Sequence, residues 1–202
     1  MRAGYGAIDG LSAPERISEW LSPALRAEAP SGRRRAAWLA GRVLLAQMLD
    51  QKPLPRLADG GNGKPVFADG AGPFFSLSHS LGWVAAAISG HGPVGCDIEM
   101  IRPRPGWPAL SESSFCLTER QAIAALAPGC RLKKFWHIWT IREAVLKQRN
   151  LGVWSMADLG DVSEPSLQAQ GLRIHHCENS IFSLAVCARH DEPMAEAVME
   201  WA

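Results

Sequence analysis

Long apolar runs are missing from this sequence. None reaches the roughly 18 residues that a membrane-spanning helix needs, and the opening stretch, "MRAGYGAIDG", has no apolar signal-peptide core. The expectation is a cytoplasmic protein with no membrane partner. Paired cysteines are missing too. Cys96, Cys116, Cys130, Cys177 and Cys187 are an odd set without a CxxC. That argues against a disulfide framework or a zinc ribbon, and for free thiols in the core. In "HHCE", His175 and Cys177 invite a zinc reading, but neighbouring strand residues alternate faces and the spacing is wrong for a structural site. Strong net charge is the third absence. The formal balance is only +1, so a nucleic-acid partner is not expected.

The chain has 202 residues, 47% of them hydrophobic. That is enough apolar surface for a core, and the length suits one domain or two small ones packed together. The charge is unevenly spread. Residues 26–56 carry seven basic and two acidic side chains, and residues 131–149 carry six and one. Residues 150–202 carry two basic and eight acidic. Two local basic zones on a near-neutral chain suggest one anionic ligand or partner.

Periodicity predicts an amphipathic helix over 11–29, interrupted at Pro23, and a second helix after an N-cap at Ser31. In that second helix Arg35 and Arg42 lie seven apart and share a face. "FFSLSHS" and "WVAAAIS" read as strands joined by a turn at Ser80–Gly82. Phe75, Leu77 and His79 alternate to one face there, and Ser76, Ser78 and Ser80 to the other. "RPRPGWP" is a joint near mid-chain. Residues 111–127 look helical with Thr118 as a possible cap, and "KKFWHIWTIREAVLKQRN" is a strong helix of about four to five turns. "LRIHHCE" and "IFSLAVCAR" form a closing hairpin that echoes the first. This echo suggests two similar α+β halves joined near residues 102–108.

"VGCDIEMIRP" poses the chemical question. Asp97 and Glu99 sit two apart in an apolar strand, so both carboxylates leave the same face. Like charges repel, and burial worsens it. A divalent cation relieves both penalties; oxygen ligands suit Mg²⁺ or Ca²⁺, and an ion that keeps several waters and meets phosphates is typically Mg²⁺. Glu143 and Lys147, four apart on the strong helix, add a third carboxylate and a cation.

In order, "GKP" (Gly63–Pro65), "FSLSHS" (Phe75–Ser80), "VGCDIE" (Val94–Glu99) and "FWHIWTIREAVLK" (Phe135–Lys147) resemble the motif set of the 4'-phosphopantetheinyl transferases, and "LAGRVLL" and "VGCDIEMIRPR" further resemble the second type of holo-acyl-carrier-protein synthase found in enterobacteria. The resemblance covers about residues 25–190. It implies an α+β fold of two similar halves, 1–103 and 104–202, related by a pseudo-twofold, with the active site in the cleft between them. It implies transfer of 4'-phosphopantetheine from coenzyme A to a serine of an apo acyl or peptidyl carrier protein by a monomer. It places the metal on Asp97, Glu99 and Glu143, with Mg²⁺ or Mn²⁺ as the ion. The catalytic residues would be Glu143, Lys147 and Asp97. Coenzyme A contacts would fall on Lys64, Ser78, His79, Asp97, Glu143 and Lys147. Arg35 and Arg42 are the favoured 3'-phosphate ligands, although "RRR" leaves that register open by one or two positions. Arg102, Arg104, Lys133 and Lys134 are carrier-docking candidates by charge. An Mg²⁺-dependent hydrolase of coenzyme A or pyrophosphates, and a non-catalytic carrier-binding relative, are the alternative readings. Three positions depart from the family's usual pattern: Ser76, Leu81 and Arg142.

Overall fold

A computed structural model describes residues 1–194 and 198–201. The elements run β1 (Arg2–Ala7), α1 (Ile8–Leu11), α2 (Pro14–Trp20), α3 (Pro23–Ala27), α4 (Arg35–Leu49), β2 (Leu57–Asp59), β3 (Pro65–Phe67), β4 (Phe74–Ser80), β5 (Trp83–Ser89) and β6 (Gly95–Met100). They continue with α5 (Trp107–Ser114), α6 (Leu117–Ala124), α7 (Pro128–Gln148), α8 (Glu164–Ala169), β7 (Leu172–Glu178), β8 (Phe182–Arg189) and β9 (Met199–Trp201). The expected α+β class holds.

Proline chemistry explains where several elements break. The helix expected over 11–29 is three short helices, because Pro14 and Pro23 each open a new one at its first position. Ser22 caps the last of them by accepting the Leu25 N–H at 3.2 Å. The helix expected over 111–127 is also divided, into α5 and α6. Its cap is Cys116 rather than Thr118, because Glu119 reaches back to the Cys116 N–H at 3.0 Å. Ser31 precedes a single 3-10 turn, Gly32–Arg34, and makes no capping bond.

Two main sheets carry the strands. One has the order β4-β5-β1-β9, with β9 parallel to β1, and the other has the order β6-β8-β7. β2 and β3 form a separate small hairpin. Helix α4 packs on the first sheet and α7 on the second. One core gathers around α4, a second around α7, and a third fills the space between the two sheets. Strand β6 precedes the joint at 102–108 yet pairs with β8 from the chain's second half, while β9 returns to the first sheet.

The sheets meet along β4 and β6, and side chains replace the usual backbone ladder there. The hydroxyls of Ser76, Ser78 and Ser80 accept the N–H groups of Cys96, Ile98 and Met100 at 3.0, 3.3 and 3.3 Å. Serines two apart face one side of a strand, and each satisfies a buried donor that would otherwise be orphaned. The alternation read from "FSLSHS" is therefore the seam of the molecule.

Candidate active site

The site is built on that seam. Asp97, on β6, is 4% exposed. Its Oδ1 accepts from the Ser78 hydroxyl at 2.7 Å and from Lys147 Nζ at 2.6 Å. Its Oδ2 is buried without a partner. Glu99 leaves the same face and accepts from the Ser80 hydroxyl at 2.6 Å. The ladder thus positions both carboxylates, each held by its own serine.

Helix α7 supplies the rest. It approaches β6 at Gly95, where a Cβ would lie 1.8 Å from the Ala144 carbonyl oxygen. Glycine is required there, since any side chain would push the helix away. The close approach lays Glu143 and Lys147 over Asp97. Lys147 Nζ donates to Asp97, to the Ser78 hydroxyl at 3.0 Å and to the Cys96 carbonyl at 3.1 Å. An ammonium has three N–H donors, so all are engaged.

Electrostatics mark these groups as one unit. Burial, and then the Asp97 charge, push the Glu143 carboxyl up to about 7. The same two causes raise Glu99. Burial works against the charge on Lys147, but Asp97 and Glu143 outweigh it and hold its pKa above the usual value. One lysine therefore faces three carboxylates and directly pairs only with Asp97.

A divalent cation fits this donor set. The orphaned, buried Oδ2 of Asp97 wants a positive partner, and the mutual repulsion of Asp97, Glu99 and Glu143 is what such an ion relieves. Among the described residues, two other groups have ligand atoms all within 4.8 Å of one another: His137–His176–Glu178 and Cys116–Glu119–Asp161. The three carboxylates are not so tightly gathered; their all-oxygen donor set is the kind that suits Mg²⁺.

Beside the carboxylates lies a cleft of about 430 Å³, lined by Arg34, Arg42, Trp38, Glu28, Ser78 and His79 among others. The Arg42 guanidinium stacks over the Trp38 ring at 3.3 Å and donates to the Trp38 carbonyl at 3.2 Å. Its Nε is buried and unpartnered. Burial, partly offset by Glu28, lowers its pKa to about 10. Burial and then Lys147 hold His79 below its ordinary value, so it is largely neutral at pH 7.

The structure brings together Ser78, His79, Asp97, Glu99, Glu143 and Lys147, with Arg42 across the cleft. Arg35 stands apart: it is exposed and donates to the Ala29 carbonyl at 3.2 Å. Arg34 lines the cleft instead. The 3-10 turn before α4 rotates the arginine run, which helical spacing could not reveal. Lys64 Nζ donates to the carbonyls of Val94 and Lys147 at 2.9 and 2.6 Å. It ties the "GKP" loop to α7 and to the residue that leads into β6, and burial lowers its pKa to about 8. Ser80 holds Glu99, a role that no motif names. The signal that finds it is the third serine at period two.

A family model described as the 4'-phosphopantetheinyl transferase superfamily matches residues 93–198, the span that holds all three carboxylates and Lys147. The 4'-phosphopantetheinyl transferase AcpT of Salmonella typhimurium is 44% identical over 182 residues, covering 90% of this chain and 88% of that one. The chain belongs to the 4'-phosphopantetheinyl transferase superfamily. It is a transferase. The AcpT of Escherichia coli K12 is 41% identical over 200 residues, 99% of this chain and 96% of its own. A 4'-phosphopantetheinyl transferase of Bacillus subtilis is 28% identical over 141 residues, covering 64% and 61%. Among the described residues of this transferase no helix is long and apolar enough to cross a membrane.

Proposed function

We propose that the protein moves the 4'-phosphopantetheine arm of coenzyme A onto a serine hydroxyl of an apo acyl or peptidyl carrier protein. Adenosine 3',5'-bisphosphate is the other product. The observation that carries this reading is the joint between three coupled carboxylates and a cationic cleft, made through adjacent residues of β4. Ser78 bonds to Asp97, and His79 faces Arg34 and Arg42 in the cleft lining.

Asp97, Glu99 and Glu143 would hold Mg²⁺ or Mn²⁺, which when bound offsets the negative charge of the pyrophosphate during phosphoryl transfer. Glu143 accepts the proton of the carrier serine. Its raised pKa comes from burial and from Asp97 with no cation to oppose them; a bound cation favours the ionised, proton-accepting form. The freed serine oxygen attacks the phosphorus that carries the pantetheine arm, and the bond from that phosphorus to the bisphosphate oxygen breaks. Lys147 meets the departing bisphosphate by exchanging its Ser78 or Cys96 contact for a phosphate oxygen. Arg42, with a free buried Nε, and Arg34 hold the 3'-phosphate. His79 orients the diphosphate, and Lys64 fixes the loop and the end of α7 from behind. Positioning supplies much of the rate.

The two-half architecture, 1–103 and 104–202, with the site in the cleft between them, belongs to the same proposal. It is supported by one long helix on each sheet and by the serine seam where the sheets meet. The protein acts as a cytoplasmic monomer. Carrier docking falls to Arg102, Arg104, Lys133 and Lys134. Arg102 lies near enough to Glu99 to offset part of the rise that burial and Asp97 cause in its pKa, and Arg104 stacks near Trp139 at 5.2 Å. Rates that fall with added salt are expected, because charge steering is screened.

Intact-mass spectrometry of an apo carrier protein after incubation with this protein, coenzyme A and Mg²⁺ is the test. A mass gain of one phosphopantetheine, abolished by EDTA, is expected. Release of free phosphopantetheine without carrier modification would instead make the protein a hydrolase. Binding of coenzyme A with neither product would make it a binder.

A further inference from the structure

His137 lies on α7 six residues before Glu143, about 9 Å back along the axis. There it meets two residues of one face of β7, His176 and Glu178. We propose that these three side chains form a zinc site, separate from the carboxylate site, that fastens α7 to β7.

The geometry supports it at each level. One ligand atom from each residue lies within 4.8 Å of the others. His137 Nδ1 and Glu178 Oε2 are 3.4 Å apart. Zinc bonds of about 2.0–2.1 Å at tetrahedral angles separate two ligand atoms by about 3.3–3.4 Å, so this pair already stands at the edge length of a zinc tetrahedron. The two imidazole rings are 4.0 Å apart, tilted by 53°. Tilted rings can aim nitrogens at one point.

Supporting contacts are in place. The Ser183 hydroxyl holds His176 Nε2 at 2.8 Å and is itself held by the Thr140 hydroxyl at 2.9 Å. One nitrogen of His176 is thereby oriented, as in metal-bound histidines generally, and the other is left to ligate. Lys133 takes the other oxygen of Glu178, Oε1, at 3.3 Å. Burial keeps both histidines below their ordinary pKa, His176 at about 4. Both rings are therefore neutral, the form a metal binds, at pH 7. Lys133 and Lys134 oppose a cation here, and the Glu178 carboxylate offsets one of them.

An entry path exists. A cavity of about 440 Å³, lined by His137, His176 and Ile174 among others, opens beside the cluster. The three ligands leave a fourth position for water. Two imidazoles and one carboxylate suit zinc, whereas Mg²⁺ prefers oxygen alone. "HHCE" hid this set. Its partner His137 lies far away in sequence, and the usable residues are His176 and Glu178 rather than His175 and Cys177.

The test is a titration of the full chain with Co²⁺ in the presence of excess Mg²⁺, followed by visible absorption. A single intense d–d band is expected, displaced by Zn²⁺, with Zn²⁺ raising the melting temperature. Glu178→Gln should weaken Co²⁺ binding by at least about tenfold, and Cys177→Ser should leave it unchanged. Absence of a saturable band overturns the proposal. So does a band lost with Cys177→Ser, which would place the metal on thiols. A band lost with Glu143→Gln, or one that keeps full affinity in Glu178→Gln, overturns it as well.

Discussion

Helix α7 carries two cations five residues apart, each facing a buried carboxylate, and the two pairs are finished differently. Arg142 is fully buried and donates to both oxygens of Glu119, at 2.9 and 2.7 Å, and to the carbonyls of Gly160 and Met156 at 2.9 and 2.6 Å. Glu119 also accepts the N–H groups of Cys116 and Val162. Neither oxygen of that carboxylate is left over. Lys147 satisfies one oxygen of Asp97 and leaves the other without a partner, with Glu99 and Glu143 adding repulsion. The first pair, whose carboxylate is complete although the Arg142 Nε is buried without a partner, is a structural bolt between α6 and α7. The second is an open charge system, with one buried oxygen left over. A buried ion pair can therefore signal packing or function, and the satisfaction of its oxygens tells which.

The largest effect should come from the open pair. Glu143→Gln is expected to lower transfer by about 10²–10⁴-fold, with no loss in the urea midpoint. Near-normal turnover in a mass-spectrometric time course would remove Glu143 from the proposed chemistry. The closed pair should respond in the opposite sense. Arg142→Ala leaves Glu119 buried and uncompensated, a loss of about 3–5 kcal/mol, read by urea unfolding. A variant as stable as the parent would break the contrast between the pairs.

Gly95→Ala sharpens the comparison, because Gly95 underlies the open pair alone. Forcing a Cβ against the Ala144 carbonyl should cost about 1–3 kcal/mol or more, together with transfer activity, since Lys147 would be lifted from Asp97. Full activity in that variant would show that the close approach is not needed.

A pH series probes the open pair. Glu143 has a folded pKa of about 7 against an ordinary 4.5. The folded state holds a proton that the unfolded state has lost, so the Glu143 contribution to stability falls as pH rises from 4.5 to 7. In metal-free protein, Glu143→Gln should gain melting temperature relative to the parent across that window. Added Mg²⁺ should stabilise the parent more at pH 8 than at pH 4.5. Parallel curves for the two proteins would remove the coupling. The smallest effect is a control that touches neither pair. Leu81, 64% exposed at the β4–β5 turn, has φ of 35°, a conformation costly for leucine. Leu81→Asn should raise stability by about 1 kcal/mol without changing the urea response of the Arg142 and Gly95 variants.

Much of the site is legible in the sequence because the chemistry is local. Asp97 and Glu99 share a strand face by period two, and Glu143 and Lys147 share a helix face by period 3.6. The serine alternation in β4 is visible in the same way. The helix breaks at Pro14 and Pro23 were also there to be read, from proline's place at helix starts, while the Cys116 cap needed the return bond from Glu119 to be seen. Short strands such as β1 and β9 carry little pattern of their own and exist because each finds an edge to pair with.

The sequence by itself determined the α+β class and which side chains share a face of one element, since both rest on local periods, and the order of its motifs carried the family resemblance. Only the tertiary structure decided which of the arginines enters the cleft, that Lys64 binds carbonyls, that Arg142 is a bolt rather than a second catalytic cation, and that His137 finds His176 and Glu178. Each of these depends on which element packs against which, and contacts between residues far apart in the chain leave no period to read.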